Sequence, residues 1–474
     1  MKKKSSQRKT LLFIFSVMFF NVSYAQISKK LELIDVFNLE YVSDPQISPN
    51  GSKIVYVRNF KDVMTDKNHS NLWIINFDGS NNLPLTTGNQ NDFYPRWSHD
   101  GKKLIYKSNK NGITQIYLKD IGYNSETKLT NLSNSIGSIE WSLNDKYIAF
   151  NSFVPKEKDE LFEMPEKPKG AKWNERPIVI DDLQYRADGR GYLKQGKQQL
   201  FTLPIEGGTP RQVTFMNKNH GNPIWSNDNT HLIFSANLHG NSDLEPNNSE
   251  LYSVNLSNGN IDTLTTRIGP DSNPKISPDG KKIAYLGFDD RYLGYQQNDV
   301  YIMNLDGSSI KNISSKFDRN IQNINWSEDG RGLYFQYDDI GNTRLAFISI
   351  SGKINNLVTD IGGLSLGRPY SGGTYSISHN GSYAYTYGST KHPADLAIGS
   401  NGSSLRLTEV NRDLFDYKTL GNVEEIWYKS SYDGRKIQGW LVTPPDFDSK
   451  KKYPLILEIH GGPFANYGFR FSAE

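Results

Sequence analysis

The chain has 474 residues, of which 36% are hydrophobic and 12% are aromatic. It is too long for one ordinary core and too apolar for a disordered chain, so we expect two domains, or one large and one partial. The formal net charge is +3, but five of the 54 basic residues lie in the first 25 positions, leaving 49 bases against 51 acids. This near-neutral remainder holds no long basic tract, so we predict no nucleic-acid partner.

The first 25 residues have the pattern of a secretory signal peptide. A basic stretch ends at Lys9, an apolar run extends from Leu11 to Phe20, and small residues stand at Ser23 and Ala25. The apolar run is shorter than the roughly 20 residues that a membrane span requires. We therefore predict cleavage after Ala25, no stable membrane anchor and a periplasmic location. The absence of cysteine excludes both a disulfide scaffold and lipid attachment through an N-terminal cysteine.

A short phrase recurs seven times along the chain. It consists of Ile or Trp, then Ser, and two residues later Asp or Asn, which Gly usually follows. Such an Asp/Asn-Gly pair supplies the backbone conformations of a tight hairpin turn, so we interpret the repeated Asp as a turn former and not as a catalytic acid. The steps between successive serines are 50, 44, 84, 51, 50 and 51 residues. The seven serines are Ser48, Ser98, Ser142, Ser226, Ser277, Ser327 and Ser378.

Each repeat predicts four antiparallel strands. The turn is followed by a second strand such as 103–106, a third such as 300–305, and a Leu-Thr-like fourth such as 85–86 or 213–214. Four strands per period of about 50 residues, repeated seven times, predict a seven-bladed β-propeller over residues 26–410. Four tryptophans of the phrase are expected to pack between blades, because large aromatic residues dominate cores. They are Trp97, Trp141, Trp225 and Trp326.

The one long step between serines indicates an insertion at about 151–198. Loops of this length are functional or solvated, and we expect the stretch 178–192 to be ordered as an extra hairpin. If the insertion overhangs the end of the propeller, its charged side chains could bind a peptide terminus, with Glu175 and Arg186 as the leading substrate-binding candidates. Alternatively, these side chains pair with one another on the surface. The full set is Glu175, Arg176, Asp181, Asp182 and Arg186.

Residues 411–474 follow a different pattern, which predicts the start of a second domain. Two strand-like runs, 424–430 and 436–443, flank a turn at Asp433–Gly434. An apolar run at 455–459 predicts a buried parallel strand and leads directly into His460-Gly-Gly-Pro463. A strand followed by Gly-Gly is where α/β-hydrolases present a backbone N–H to a developing oxyanion. The predicted fold is thus an all-β seven-bladed propeller followed by the N-terminal strands of an α/β-hydrolase.

Five features together resemble the prolyl oligopeptidase family of serine peptidases. They are the signal peptide, the repeated Ser-x-Asp-Gly phrase, the stretch 185–192, the turn at Asp433–Gly434 and the His460-Gly-Gly-Pro463 string. Within that family, the acylaminoacyl-peptidase and dipeptidyl-peptidase branch is most similar. The resemblance implies hydrolysis of short peptides through an acyl-enzyme, with the propeller restricting access and without a cofactor. It also implies that Gly462 lends its N–H to the oxyanion hole, that Gly461 sets the turn, and that His460 is structural.

The resemblance places the serine, aspartate and histidine of the catalytic triad beyond residue 474, because the nucleophile follows the oxyanion strand by roughly a hundred residues. We therefore expect no catalytic residue in this chain and no activity of the chain by itself, whether the sequence is a fragment or the gene is interrupted. Acylaminoacyl-peptidase, dipeptidyl-peptidase and oligopeptidase activities remain open alternatives, as does the oligomeric state.

Two other classes of function stay open beside the peptidase. One is a periplasmic propeller similar to TolB that serves only as a binding module, and the other is a sugar-acting or lactonase-type propeller enzyme with an axial site. Residues 424–463 favour the peptidase, because a pure propeller has no use for a hydrolase hairpin. The eight histidines are scattered, so we predict no metal site.

Overall fold

The computed structural model describes residues 30–156, 165–174, 177–400, 402–462 and 464–473. The predicted signal peptide lies outside the described residues. Regular structure in the described part is almost entirely antiparallel β. The helical segments are short, a 3-10 helix at Leu33–Asn38 and helix α1 at Arg412–Phe415.

Between residues 41 and 406, the strands form seven consecutive units of four antiparallel strands each. Unit 1 contains β1 (Tyr41–Ile47), β2 (Lys53–Asp62), β3 (Lys67–Asn76) and β4 (Leu83–Pro84). Unit 2 contains β5 (Asp92–Trp97), β6 (Lys103–Ser108), β7 (Gln115–Asp120) and β8 (Glu126–Lys128). Unit 3 begins with β9 (Ile136–Trp141) and β10 (Tyr147–Pro155). A separate hairpin of β11 (Arg186–Ala187) and β12 (Gly191–Tyr192) precedes its outer strands β13 (Gly196–Pro204) and β14 (Arg211–Gln212).

The second half of the chain repeats this order. Unit 4 contains β15 (Ile224–Trp225), β16 (His231–Ala236), β17 (Glu250–Asn255) and β18 (Ile261–Thr263). Unit 5 contains β19 (Asp271–Ile276), β20 (Lys282–Gly287), β21 (Asp299–Asn304) and β22 (Lys311–Asn312). Unit 6 contains β23 (Ile321–Trp326), β24 (Gly332–Asp339), β25 (Asn342–Ser349) and β26 (Ile354–Ile361). Unit 7 contains β27 (Tyr375–Ile377), β28 (Tyr383–Ser389), β29 (His392–Ser400) and β30 (Ser403–Arg406), and one pair, Ile361 with Tyr387, joins it to unit 6.

The recurring serine ties the first strand of each unit to the second. In unit 5, the Ser277 hydroxyl donates to Asp279 at 2.6 Å and accepts the backbone N–H of Lys282 at 2.9 Å. The same Ser-to-Asp/Asn bond occurs in all seven units at 2.6–2.8 Å. The hydrogen bond from Ser277 lowers the pKa of Asp279, as expected for a carboxylate that serves as an acceptor. The repeated carboxylate is therefore engaged in the turn.

The Leu-Thr pairs have a different position from the one that the sequence predicts. The fourth strands of units 1 and 3 end before Thr86 and Thr214, so the prediction of strand at 85–86 and 213–214 is wrong. Each of these threonine hydroxyls instead accepts a backbone N–H in the middle of the third strand, from Leu72 and Leu200, both at 3.0 Å. This side-chain bond is added to a backbone bond, because the carbonyls of Leu72 and Leu200 accept the N–H groups of Leu85 and Val213, both at 2.7 Å.

Apolar side chains pack between each unit and the next. Six clusters join units 1 to 7 in order, and a seventh contains Val42 and Ile54 of unit 1 together with Leu396 of unit 7. A polar contact reinforces this last junction, where Asn411 bonds the backbone N–H and carbonyl of Glu40 at 2.7 and 2.8 Å. The units therefore close into a ring, as in a β-propeller.

The four tryptophans of the repeated phrase lie between neighbouring units. Trp141 and Trp225 are buried, with 3% and 5% of their surface exposed. Each of the four indoles donates its N–H to a backbone carbonyl of an earlier unit, the residue directly before the equivalent position of the phrase. The pairs are Trp97 to Gln46, Trp141 to Arg96, Trp225 to Glu140 and Trp326 to Lys275, at 2.9–3.3 Å.

Antiparallel strands place successive connections at alternate ends of a unit. The end that carries the Ser-x-Asp turns is called the turn face, and the end that carries the connections between second and third strands is called the loop face. The insertion in unit 3 lies on the loop face. It covers 156–195 and not 151–198 as predicted, because residues 151–155 pair strand-wise with 196–200.

The predicted hairpin after the ring is present as β31 (Asn422–Lys429) and β32 (Lys436–Thr443). It contacts the loop face at the connection between β24 and β25. Gln438 donates to the carbonyl of Ile340 at 3.3 Å, and the Trp440 ring lies close enough to Gly341 that a side chain there would clash.

Replacement of Ser277 by Ala removes one buried donor and leaves the Lys282 N–H without its acceptor. We expect the free energy of unfolding to fall by about 1–3 kcal/mol. Urea denaturation of residues 26–474 measures this loss. Ser315→Ala, at an exposed position of the same unit, is the matched control, and an equal loss in both variants would refute the role of the hydroxyl in the turn.

Candidate functional site

Two features occupy the loop face, the segment 458–473 and a cavity beside the insertion. The segment contains Gly461 and Gly462, and the cavity contains part of the insertion that we singled out as a binding candidate. Both arise where the chain leaves the regular strands, which is where binding residues concentrate in scaffolds of this kind.

Gly462 adopts a backbone conformation that favours glycine, with φ at +75°. It is exposed, and its N–H donates to no other described residue. The N–H of Gly461 donates to the hydroxyl of Tyr370 at 3.4 Å. A turn of this shape can direct a backbone N–H outward, as an oxyanion donor must be directed.

The segment after Gly462 is held on the connection between units 6 and 7. Tyr467 packs edge-on against Tyr370 at 5.0 Å, and the backbone N–H of Gly468 donates to the carbonyl of Pro369 at 2.7 Å. Arg470 is buried and donates to the carbonyl of Ile361. Burial lowers the pKa of its guanidinium to about 10. These contacts fix the position of the two glycines relative to the ring.

His460 contacts the segment that follows the two glycines. Its ring packs edge-on against Tyr467 at 5.5 Å, and Tyr467 in turn donates to Glu458 at 2.9 Å. The contact is structural and leaves the two glycines exposed.

The prediction of a buried parallel strand at 455–459 is wrong for the described structure. This stretch is extended but pairs with no described strand, and Leu455, Ile456, Leu457 and Ile459 are between 73% and 89% exposed. A strand of this kind is stable only between two neighbours in a sheet, and none of the described residues provides them.

Sequence reasoning missed one Gly-x-Ser-x-Gly string inside the chain, at Gly363–Gly367. It lies in the connection between units 6 and 7, where no helix follows, whereas a nucleophile elbow is a strand-to-helix turn. The Ser365 hydroxyl accepts the N–H of Gly367 at 3.3 Å and contacts no histidine among the described residues. The string therefore lacks the geometry and the base of a nucleophile.

The insertion forms one wall of a cavity of about 930 Å³. The predicted extra hairpin is present as β11 and β12, with Tyr185 and Tyr192 packed 6.2 Å apart. The opposite wall comes from the connection between units 3 and 4 and from the 237–249 loop of unit 4. Charged and aromatic side chains line the cavity, including Asp181, Asp182, Tyr185, Arg190, Lys194 and Lys218.

The predicted charged residues of the insertion do not all converge. Asp181 and Asp182 line the cavity, and Asp181 accepts a bond from Gln195 at 2.8 Å. Arg186 is exposed on β11 and does not line the cavity. Glu175 and Arg176 lie outside the described residues. The structure thus brings together two of the five candidates.

His220 also lines the cavity, and no sequence pattern points to it. The ring is 1% exposed, and burial lowers its pKa, so the neutral form is favoured. Its Nδ1 lies 3.2 Å from the carbonyl of Gln198, whereas its Nε2 has no partner among the described residues. A lone histidine in a turn could be recognised only once the fold placed it beside the insertion.

A buried carboxyl lies directly behind the cavity wall. Glu250, next to the wall residue Ser249, is 1% exposed and accepts the Thr265 hydroxyl at 2.5 Å. Burial raises its pKa to about 7, and the nearby Asp271 adds to the increase. In units 2 and 3, Gln115 and Gln199 occupy the same position and accept the equivalent threonine at 2.8 and 2.9 Å.

No group of three or more His, Cys, Asp or Glu side chains suited to a metal ion occurs among the described residues. In the described ranges, no helix is long and apolar enough to cross a membrane.

Comparisons with known proteins match these features. The family described as the TolB beta propeller domain matches residues 27–167. Dipeptidyl-peptidase 5 of Porphyromonas gingivalis is 27% identical over 90% of this chain and 62% of its own length. The uncharacterized peptidase YuxL of Bacillus subtilis is 26% identical over 93% of this chain and 67% of its own length. A match over 93% of the chain necessarily extends into residues 411–474.

These relatives support a peptidase of the prolyl oligopeptidase family with a TolB-like propeller. Solved structures share its fold. An acylaminoacyl peptidase in complex with Z-Gly-Gly-Phe-chloromethyl ketone aligns with a TM-score of 0.73 at 19% identity, over 94% of this chain and 64% of that chain. The propeller domain of the Trilobed protease from Pyrococcus furiosus aligns with a TM-score of 0.53 at 16% identity, over 80% of this chain and 98% of that one. The chain spans about two thirds or less of the length of these peptidase relatives.

The burial of Glu250 predicts how the stability of the chain depends on pH. Its pKa is about 7 in the folded state and near 4.5 when unfolded. Because folding favours the protonated form, the contribution of Glu250 to the free energy of unfolding is largest below pH 4.5 and falls as pH rises to 7. Glu250→Gln copies units 2 and 3, and we expect it to stabilise the chain at pH 8 by about 2 kcal/mol.

Urea denaturation at pH 5 and pH 8 measures this difference. The neighbouring charges Asp271, Arg267 and His239 stay unchanged in the variant. Glu424→Gln, on the exposed hairpin, is the control. If Glu250→Gln showed the same pH dependence as the unmodified chain, Glu250 would not titrate in this range.

Proposed function

We propose that residues 26–474 are the propeller and the opening segment of the catalytic domain of a serine-type exopeptidase or oligopeptidase that hydrolyses short peptides. The observation that carries this proposal is the match to curated peptidases over 90–93% of the chain, which includes both predicted domains. The same observation disfavours the alternative of a propeller that serves only as a binding module.

In the proposed reaction, a serine oxygen attacks the peptide carbonyl, and the carbonyl oxygen takes up negative charge. The N–H of Gly462 stabilises this oxyanion. The carbon–nitrogen bond then breaks, the amine leaves with the proton taken from the serine, and water releases the acyl group as a carboxylate. The serine, aspartate and histidine are proposed to lie beyond residue 474, so the chain by itself is inactive. No cofactor takes part.

The ring is proposed to be a seven-bladed propeller that restricts access to the catalytic site. Seven four-stranded units and a hydrophobic cluster at each junction support this count. The loop face carries the hairpin β31–β32 and the segment with Gly461 and Gly462, so a peptide must pass its rim to reach them. Short or unfolded chains pass more readily than folded proteins.

The insertion cavity is proposed to hold the amino terminus of the peptide. Asp181 and Asp182 provide carboxylates that can accept bonds from an ammonium group, and Tyr185 provides apolar surface for the adjoining side chain. Residues 1–25 are proposed to direct export to the periplasm, where short peptides would be the substrates.

Gly462→Ala tests the oxyanion assignment. A side chain at φ +75° costs about 1–2 kcal/mol, which favours rotation of the N–H out of place. We expect kcat of the full-length gene product on dipeptide and acyl-amino-acid anilides to fall about 100-fold. Gly434→Ala, at φ +71° in the hairpin turn, is the control with equal backbone strain. Equal kcat in both variants and the unmodified enzyme would exclude this role.

Asp181→Asn combined with Asp182→Asn tests the amino-terminal site. Loss of both carboxylates is expected to raise KM about tenfold for peptides with a free amino terminus and to leave acetylated peptides unaffected. Asp188→Asn, at the tip of the same hairpin and outside the cavity, is the control. An equal change for free and acetylated peptides would refute recognition of the terminus.

A further inference from the structure

The connection between β20 and β21 in unit 5, residues 288–298, is called the unit-5 loop. It lies on the loop face and presents large apolar side chains to solvent. Tyr292 is 76% exposed, Leu293 57% and Tyr295 50%. Contact of such large apolar side chains with water is unfavourable, so a loop that exposes them gains free energy when a partner covers it.

The loop is held in one shape by the side chain of Gln296. Its amide oxygen accepts the N–H of Arg291 at 2.8 Å and of Leu293 at 3.4 Å, and its amide nitrogen donates to the carbonyl of Asp289 at 2.6 Å. Asp290 accepts the N–H of Tyr292 at 2.7 Å.

Tyr292 has a positive φ of +56°, which is costly for a residue with a side chain. The Gln296 bonds and the Asp290 bond stabilise this conformation. The apolar tip is therefore preformed before anything binds to it, which lowers the entropy cost of binding.

The ends of the loop are attached to the neighbouring connections. The N–H of Asp290 donates to the carbonyl of Ile268 at 3.0 Å, and the N–H of Asn298 donates to the side chain of Asn320 at 2.8 Å. The loop therefore moves with the ring.

The unit-5 loop adjoins the segment with the two glycines. The ring of Phe464 lies 5.3 Å from the ring of Tyr295 and packs over Gly294, where an added side chain would come within 3.2 Å of it. Phe464 is two residues from Gly462, so their Cα atoms are at most about 7.6 Å apart. The unit-5 loop thus adjoins the chain segment that carries the proposed oxyanion donor.

We propose that Tyr292 and Leu293 form a specificity wall for the peptide side chain next to the bond that is cleaved, and that this side chain is aromatic or large and aliphatic. The inference rests on the proposed function, because it needs a carbonyl bound at Gly462. Tyr295 and Phe464 form the base of the wall, and Gln296 acts as a positioning residue that keeps its tip in place.

Two peptides that differ only in this side chain, Gly-Phe and Gly-Ala anilides, test the wall in the full-length gene product. Tyr292→Ala is expected to lower kcat/KM about tenfold for the Phe peptide and less than twofold for the Ala peptide. Tyr123→Ala is the matched control, because Tyr123 is 89% exposed on the turn face. It should change neither value.

If Tyr292→Ala lowers kcat/KM equally for both peptides, or for neither, the proposal of a specificity wall is wrong. The loop would then only cover another part of the protein. If the unmodified protein cleaves neither peptide, the proposed function fails instead. The wall is then judged by calorimetric binding of Gly-Phe and Gly-Ala amides to residues 26–474. A Phe preference that Tyr292→Ala removes supports it, and equal affinity for the two amides contradicts it.

Discussion

A serine hydroxyl at the end of each first strand holds the repeated units in shape. It donates to the Asp or Asn two residues later in all seven units, and in units such as the fifth it also accepts the first N–H of the second strand. One side chain thus satisfies the turn and fixes the register of the hairpin. Every inter-unit cluster, and the ring itself, depends on that register, because a slip of one residue would turn the apolar side chains to the opposite face.

The register has a consequence for function, since it gives the two ends of the ring different chemistry. The turn face carries the short Ser-x-Asp turns, whereas the loop face carries the insertion, the unit-5 loop and the segment with Gly461 and Gly462. The insertion cavity and the unit-5 loop lie on different units, so a peptide could be recognised at two places. A ring that carries its long loops at one end concentrates the candidate binding surfaces at that end.

The repeat, the four-strand units and the insertion hairpin could be predicted from sequence because each depends on local turn chemistry. The hydroxyl bonds of Thr86 and Thr214 could not, since a Leu-Thr pair has the same pattern in a strand as beside one. The segment 455–459 has the pattern of a buried strand, but pattern cannot supply the neighbours that bury it. His220 and Glu250 emerged only from the fold, because their burial depends on residues far away in sequence.

The position of the catalytic serine can be tested directly. Ser365 lies in the Gly-x-Ser-x-Gly string at Gly363–Gly367, but its surroundings are not those of a nucleophile. The most direct measurement is to label the full-length gene product with a fluorophosphonate and to identify the modified serine by mass spectrometry. We expect one labelled serine beyond residue 474, in a Gly-x-Ser-x-Gly string. Labelling of Ser365, or no labelling of a folded full-length product, would contradict this expectation.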